Sequence, residues 1–235
     1  MWIPPSPLSL GAFLAIVLAV TAAIAAALVR AHVRTSVVVI GTLAWLTLSA
    51  LANGSGVLER SVGPVPGVTL FLLGSLGVAL VVSLSPIGSA VARTTPLWAL
   101  VLFQAFRLPL ELVLHAWAGA GTIPPQMTWS GENLDVITGL LAPLAAVAAY
   151  RGRMLGAVVA FDVLGGALLL NVLRVALLST PGPFFSYTDA SPLLLAFHFP
   201  TGWIVPVCVG GALAGHVVLT RAVLAHLPRR LPARA

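Results

Sequence analysis

The sequence has no lysine, a single cysteine and few charged residues of any kind. Charged side chains make up 8% of its 235 residues, whereas hydrophobic side chains make up 59%. A soluble globular protein carries about 25% charged residues, so this chain could not cover a surface that faces water. The composition therefore excludes an ordinary soluble domain.

The missing residue types also exclude several kinds of site. Without lysine, the chain can form neither a Schiff base nor a lysine nucleophile. Cys208 alone can form no internal disulfide and no cysteine-cluster metal site, and its apolar neighbours favour an inert thiol. The basic residues are all arginines, scattered at the ends of apolar runs, which is a topology signal. We therefore expect no nucleic acid partner, no cofactor and no metal.

Long apolar runs predict an all-α polytopic membrane helix bundle, because lipid admits only helices or closed barrels. The whole chain, residues 1–235, is expected to form one integral membrane domain. About seven stretches reach or approach the roughly 20 residues that a transmembrane helix needs. The predicted helices are Leu8–Val29, Thr35–Ala52, Gly67–Ser85, Pro96–Ala118, Asn133–Tyr150, Met154–Leu178 and Gly202–Leu224.

The arginines predict how the chain is oriented in a cell membrane of the bacterial cytoplasmic type. Nine fall on one side of the predicted helices, and only Arg60 lies in a loop on the other side. The nine are Arg30, Arg34, Arg93, Arg151, Arg153, Arg221, Arg229, Arg230 and Arg234. Because arginine-rich loops stay inside, we expect the N-terminus outside and the C-terminus in the cytoplasm. The acids Glu59, Glu132, Asp135 and Asp189 would then lie on the outer side, where the loops are also longer.

Three ionisable residues share one face of the fourth predicted helix. Arg107, Glu111 and His115 follow one another at intervals of four residues. Ionisable groups at membrane depth cost about 2.5–3.5 kcal/mol each, so each needs a partner or a purpose. One interpretation is an Arg107–Glu111 ion pair with His115 at the interface, and the other is the wall of a polar pocket. Glu111 and His115 also have metal-ligand spacing, but two ligands do not define a site.

Further polar residues lie near the predicted outer surface. Asn171 and Arg174 share a face of the sixth helix, which favours an inward orientation over an arginine that extends to the interface. Glu132, Asn133 and Asp135 precede the fifth helix, where acids and amides cap free backbone N–H groups. Capping explains at least one of them and leaves the others available for a site.

A second polar pair is predicted deeper in the membrane. Asp162 and His216 lie at equal depth on consecutive helices, each about eight residues from the inner end. Equal depth favours a buried contact between them. We interpret this contact first as structural and, as the alternative, as a proton relay.

Two short motifs stand out in the C-terminal half, Asn171-Val-Leu-Arg174 and His198-Phe-Pro-Thr-Gly202-Trp203. The first is similar to the Asn-x-x-Arg element, and the second resembles the later histidine element, of the exosortase/archaeosortase family of membrane protein-sorting enzymes. The similarity covers roughly Leu97 to Ala225. It implies that Arg174 and His198 belong to an outward-facing catalytic site.

The family's Cys-Ser-Gly element would fall on Ile137-Thr138-Gly139, so isoleucine replaces the nucleophilic cysteine. Transpeptidation by cysteine needs a thiolate activated by a base, which excludes that chemistry. Arg174 and His198 would still bind a carbonyl oxygen or a carboxylate. Glu132 or Asp135, together with His115 or His198, would alternatively activate water.

These observations predict a polar pocket that is built by helices four to seven and opens to the outer side. The residues expected to form it are Arg107, Glu111, His115, Glu132, Asp135, Asn171, Arg174 and His198. In the first hypothesis the protein is exosortase-like and recognises or processes a secreted peptide or a lipid headgroup, without cysteine chemistry. The alternatives are a small-solute or proton-coupled transporter and a structural subunit of a membrane complex. The bilayer itself is an expected partner in all three.

Overall fold

The computed structural model of the protein describes residues 2–62, 65–152, 155–188 and 190–226. Helices dominate this part of the chain, as the apolar runs predicted. The α-helices are α1 Pro7–Arg30, α2 Thr35–Gly54, α3 Gly67–Leu84, α4 Pro86–Thr94, α5 Leu97–Phe103, α6 Arg107–Gly119, α7 Val136–Tyr150, α8 Leu155–Ser179 and α9 Gly210–His226. A short hairpin pairs β1, Ser61–Val62, with β2, Val65–Pro66.

Six helical segments in the described ranges are long and apolar enough to cross a membrane. They are α1, α2, α3, the continuous segment Leu97–Gly119, α8 and the segment Thr201–Ala225. The chain is therefore an all-α, multi-pass membrane protein. The remaining predicted helix, the fifth (Asn133–Tyr150), corresponds to α7, which has 15 residues and is about 22 Å long. A bilayer core is about 30 Å thick, so α7 reaches across only part of it.

Two of the segments contain irregular helical turns near the candidate site. A 3₁₀ turn, Gln104–Phe106, joins α5 to α6. The last segment starts with a 3₁₀ turn, Thr201–Ile204, and a π-helical turn, Val205–Val209, before α9 begins. Such turns change the direction in which the following side chains point. The first one places Arg107 at the beginning of α6.

The helix ends meet at two opposite ends of the bundle. At the first end, Nη1 of Arg221 donates to the carbonyl oxygens of Ser83 and Ser85, and Nη2 of Arg30 donates to that of Thr94. We name this the arginine end. The opposite end carries the described residues 55–62, 65–66, 120–135, 180–188 and 190–200, and we name it the loop end. Five residues of the topology prediction, Arg153, Asp189, Arg229, Arg230 and Arg234, lie outside the described residues.

The apolar core has two parts, with a polar layer between them. The first contains Phe13, Leu110 and Cys208, and the second contains Val101 and Leu219. Arg107 falls between Val101 and Leu110 along its segment, and His216 falls between Cys208 and Leu219 along the last one. The polar residues therefore occupy the middle of the bundle. Charged groups at this depth in membrane proteins are generally paired.

Candidate functional site

The buried side chain of Arg107 is the centre of the candidate site. It is 1% exposed, although its guanidinium cannot lose its charge in a protein. Nε of Arg107 lies 2.5 Å from Oδ2 of Asp135, at the start of α7. The interpretation that paired Arg107 with Glu111 along one helix is therefore wrong, because the counter-ion comes from the next helix.

Close packing between α6 and α7 makes this ion pair possible. A Cβ atom added to Gly139 would collide with the backbone nitrogen and Cα of Leu108. Only glycine lets the two helices approach this closely. Since Leu108 follows Arg107 and Gly139 lies one turn after Asp135, the crossing brings the two charges together.

Glu111 is held by Asn133 instead. Nδ2 of Asn133 donates to Oε1 of Glu111 at 2.8 Å and to the carbonyl oxygen of Met127 at 3.0 Å. Oδ1 of Asn133 accepts from the backbone N–H of Asp135 at 3.0 Å, a local bond typical of asparagine before a helix. Asn133 thus links Glu111 to Asp135, a role that the sequence did not assign to it.

The deeper pair Asp162–His216 is present and supports Arg107 from the other side. Nδ1 of His216 lies 2.8 Å from Oδ1 of Asp162, whose Oδ2 accepts from the hydroxyl of Thr220 at 2.6 Å. Nη1 of Arg107 lies 3.1 Å from Nε2 of His216 and 3.3 Å from the carbonyl oxygen of Gly165. One hydrogen-bonded chain therefore runs from α9 through α8 to α6 and α7.

A cleft of about 1060 Å³, its open side included, reaches this polar layer from the loop end. Arg107, Glu111 and Asp135 line it, and most of its other walls are apolar side chains of α3, α8 and the last segment. Among the residues that line it, Nη2 of Arg107, Oε2 of Glu111 and Oδ1 of Asp135 are buried without a hydrogen-bond partner in the described part of the chain. Unpaired polar atoms in a buried site are costly, so these atoms make the inner end of the cleft the candidate binding position.

The predicted residues Glu132, Asn171 and Arg174 form a separate cluster at the loop end. Nη2 of Arg174 lies 2.6 Å from Oε2 of Glu132, and both side chains are about half exposed. Nδ2 of Asn171 donates to the carbonyl oxygen of Glu132 at 2.7 Å. These residues do not line the cleft, although Leu173 and Leu177 of the same helix do. The cluster therefore lies beside the cleft.

Tyr187, which the sequence did not single out, completes this cluster. Its hydroxyl donates to Oε1 of Glu132 at 2.7 Å. This hydrogen bond, followed by that of Arg174, lowers the pKa of the Glu132 carboxyl, and the same bond raises the pKa of the Tyr187 hydroxyl. Only its place in an outer loop rich in aromatic residues could have indicated Tyr187.

The two predicted histidines of the pocket lie elsewhere, each stacked on a tryptophan. His115 lies 4.2 Å from Trp129 between ring centroids, with 13° between the planes. His198 lies 4.1 Å from Trp2, with 22° between the planes, and burial lowers the pKa of its imidazole. The structure thus brings Arg107, Glu111 and Asp135 to one cleft, but it does not bring the two histidines there.

The three elements of the exosortase resemblance also occupy different places. Arg174 is held by Glu132, His198 stacks on Trp2, and Ile137 is 37% exposed at the start of α7. The participation of Arg174 and His198 in one reaction stays a prediction. Glu111 and His115, which have metal-ligand spacing, point to different partners.

Comparisons with known protein families, with curated proteins and with solved structures give no match for this chain.

Proposed function

We propose that the protein recognises a secreted or membrane-borne substrate in the cleft that ends at Arg107, and that the loop end of the cleft faces outside. The observation that carries this proposal is the pair of unpartnered atoms, Nη2 of Arg107 and Oε2 of Glu111, on one cleft. A buried guanidinium donor and a buried carboxyl oxygen would together orient a polar group, as in most binding pockets.

The lining of the cleft favours binding over transport. Arg107 and Asp135 line it, whereas Asp162 and His216 lie behind Arg107 and are not part of its walls. A proton relay through this chain would have to pass the guanidinium of Arg107, which has no acceptor and does not give up its proton. The polar layer therefore supports a closed end rather than a path across the membrane.

The proposal keeps the substrate recognition that the exosortase resemblance implies, but not the cysteine chemistry. Arg174 lies beside the cleft, where it would contact a substrate that extends from the cleft toward the loop end. Ile137 provides no nucleophile at the position that the resemblance assigns to one. Recognition of the substrate is thus the function that the side chains support, with Arg174 as a second contact.

Accessibility of a cysteine in the cleft tests the proposal. In a Cys208→Ala background, Ala176→Cys would place a thiol on the cleft wall, and Ala167→Cys would place one on the exposed surface of the same helix. A membrane-impermeant methanethiosulfonate reagent applied outside intact cells should modify Ala176→Cys and not Ala167→Cys, because the latter faces lipid. Protection of both thiols would refute an outward-facing cleft.

A flux measurement distinguishes the transport alternative. Proteoliposomes that contain the protein and a trapped pH dye should equilibrate a proton gradient no faster than liposomes without protein. Flux that disappears in an Asp162→Asn variant would instead establish a conducting path through the polar layer.

A further inference from the structure

The unused hydrogen-bonding atoms of the cleft define the chemistry of the group that it binds. Arg107 already uses Nε for Asp135 and Nη1 for His216 and Gly165, and Glu111 uses Oε1 for Asn133. One donor atom, Nη2 of Arg107, and two carboxyl oxygens, Oε2 of Glu111 and Oδ1 of Asp135, remain. The side chains of Arg107 and Glu111 are the more deeply buried, at 1% and 2% exposure. A complementary head group must therefore accept one hydrogen bond and donate at least one.

The charges around these atoms select against an ionised head group. A carboxylate in the cleft would face the carboxyl groups of Glu111 and Asp135, which line the same walls. An ammonium group would face the guanidinium of Arg107 and would leave Nη2 without an acceptor. Any full charge would also lose its hydration in a mostly apolar cleft, which is costly. An uncharged group that both donates and accepts avoids all of these costs.

The remaining walls require an apolar part in the same ligand. Leu72 of α3, Leu173 and Leu177 of α8, and Val205 of the last segment line the cleft beyond the polar atoms. α3 and α8 both pack against α9, and both contribute apolar side chains to the cleft. A chain of methylene groups could lie along these walls. Transfer of the chain from water to the apolar walls is favourable, whereas transfer from lipid contributes little.

We infer that the cleft binds an uncharged amphiphile whose head group accepts from Nη2 of Arg107 and donates to Oε2 of Glu111. An amide and an alcohol both have this chemistry, so the source is either an acylated peptide or a lipid alcohol. The inference rests on the proposed function, because it assigns a substrate class to the same cleft.

Four probes that share a C12 chain and differ only in the head group test which head group the cleft binds. The purified full chain in lipid nanodiscs would be titrated with radiolabelled dodecanamide, with protein-free nanodiscs subtracted. Unlabelled dodecanamide, dodecan-1-ol, laurate and dodecylamine would then compete. We expect the amide and the alcohol to compete at least ten-fold more strongly than laurate and dodecylamine. The order of the first two distinguishes a peptide source from a lipid alcohol.

Matched variants locate the binding. Arg107→Gln and Glu111→Gln should each weaken dodecanamide binding at least ten-fold, whereas Arg60→Gln and Glu59→Gln, at the loop end outside the cleft, should leave it unchanged. If a cleft variant fails to fold, the order of the four probes on the unmodified chain still decides. Strongest binding of laurate or dodecylamine, or no saturable binding of any probe, would overturn the inference. Reaction of Ala176→Cys from outside, in the same experiment series, would leave the proposed function intact.

Discussion

Nη1 of Arg107 lies 3.1 Å from Nε2 of His216, and this contact fixes the tautomer of the histidine. A guanidinium only donates, so Nε2 must be the accepting nitrogen and Nδ1 must carry the proton. Nδ1 then donates to Oδ1 of Asp162 at 2.8 Å. Asp162 thereby orients His216, and His216 orients the guanidinium of Arg107, a residue that lines the cleft. The deeper pair thus acts as a positioning element for Arg107.

The ion pair between Arg107 and Asp135 should be strongly coupled. Asp135→Asn removes the counter-ion of a buried guanidinium, and breaking a buried pair costs about 3–5 kcal/mol. Arg107→Gln should also be destabilising, because it leaves the buried carboxylate of Asp135 without its counter-ion. The double variant, Arg107→Gln with Asp135→Asn, should lose less stability than the sum of the single variants, since it leaves no unpaired charge.

Reversible unfolding in mixed micelles would measure the free energies of unfolding for this cycle. Glu132→Gln is the matched control, because it removes a carboxylate that is paired with an arginine at an exposed position. We expect this control to change the free energy of unfolding little. Additive losses in the double variant would contradict direct coupling between Arg107 and Asp135.

Two adjacent glycines of α8 provide a test of how His216 is positioned. A Cβ atom on Gly165 would lie 2.7 Å from Cε1 and 3.1 Å from Nε2 of His216, whereas one on Gly166 would meet no atom within 4 Å. Gly165→Ala should therefore displace the imidazole from Arg107. Gly166→Ala should be neutral or slightly stabilising, because alanine favours helix more than glycine does.

The measurement for this pair has two parts. Thermal unfolding should show a lower midpoint for Gly165→Ala than for Gly166→Ala. The ¹⁵N NMR shifts of labelled histidine should show the Nδ1–H tautomer of His216 in the unmodified chain and in Gly166→Ala, and its loss in Gly165→Ala. An unchanged tautomer in Gly165→Ala would contradict the positioning role.

The fold could be predicted from the sequence because one physical demand dominates it. In lipid every backbone N–H and C=O group must be paired within the chain, so apolar runs of sufficient length form helices. The α4 helix was not predicted. It has nine residues and is amphipathic, with Gly88, Val91 and Ala92 buried, so it carries no long apolar run. The break between α5 and α6 was also not predicted, because residues 97–119 together have the length and mean hydropathy of one spanning helix.

Only those features of the site that follow from membrane depth and helix periodicity could be predicted from the sequence. Equal depth indicated the Asp162–His216 contact, and periodicity placed Arg107 and Glu111 on one face. Their partners come from a loop and from another helix, through a crossing that depends on Gly139. No periodic pattern specifies such a contact. The aromatic partners of the two stacked histidines likewise follow from tertiary packing.

The orientation of the bundle should follow the arginines. In a Cys208→Ala background, Ser61→Cys at the loop end should react with an impermeant maleimide added to intact cells. Thr35→Cys, which begins α2 at the arginine end, should react only after the membrane is permeabilised. The arginines explain this difference in labelling, because loops rich in arginine are not translocated and keep the arginine end on the cytoplasmic side. The reverse order of labelling would place the cleft on the cytoplasmic side and overturn the proposed function.

The pKa of Glu132 should depend on Tyr187 more than on any other neighbour. The Tyr187 hydrogen bond is the largest cause that lowers this pKa, and the Arg174 hydrogen bond is the next. Because the folded pKa lies below the ordinary value of about 4.3, the cluster contributes stability above that pH. This contribution disappears as the pH falls through the lowered pKa. Tyr187→Phe should therefore raise the pKa of Glu132. The stability that the cluster contributes should then be lost at a higher pH than in the unmodified chain.

Carboxyl ¹³C NMR of glutamate-labelled protein would follow this titration, because the chain has only three glutamates. Glu59→Gln and Glu111→Gln would assign the remaining signal to Glu132. Tyr150→Phe changes the only other tyrosine of the chain and is the matched control, since Tyr150 packs against Trp98 away from the cluster. A shift of the Glu132 pKa in Tyr187→Phe but not in Tyr150→Phe would establish the hydrogen bond, and equal pKa values in both variants would exclude it as the cause.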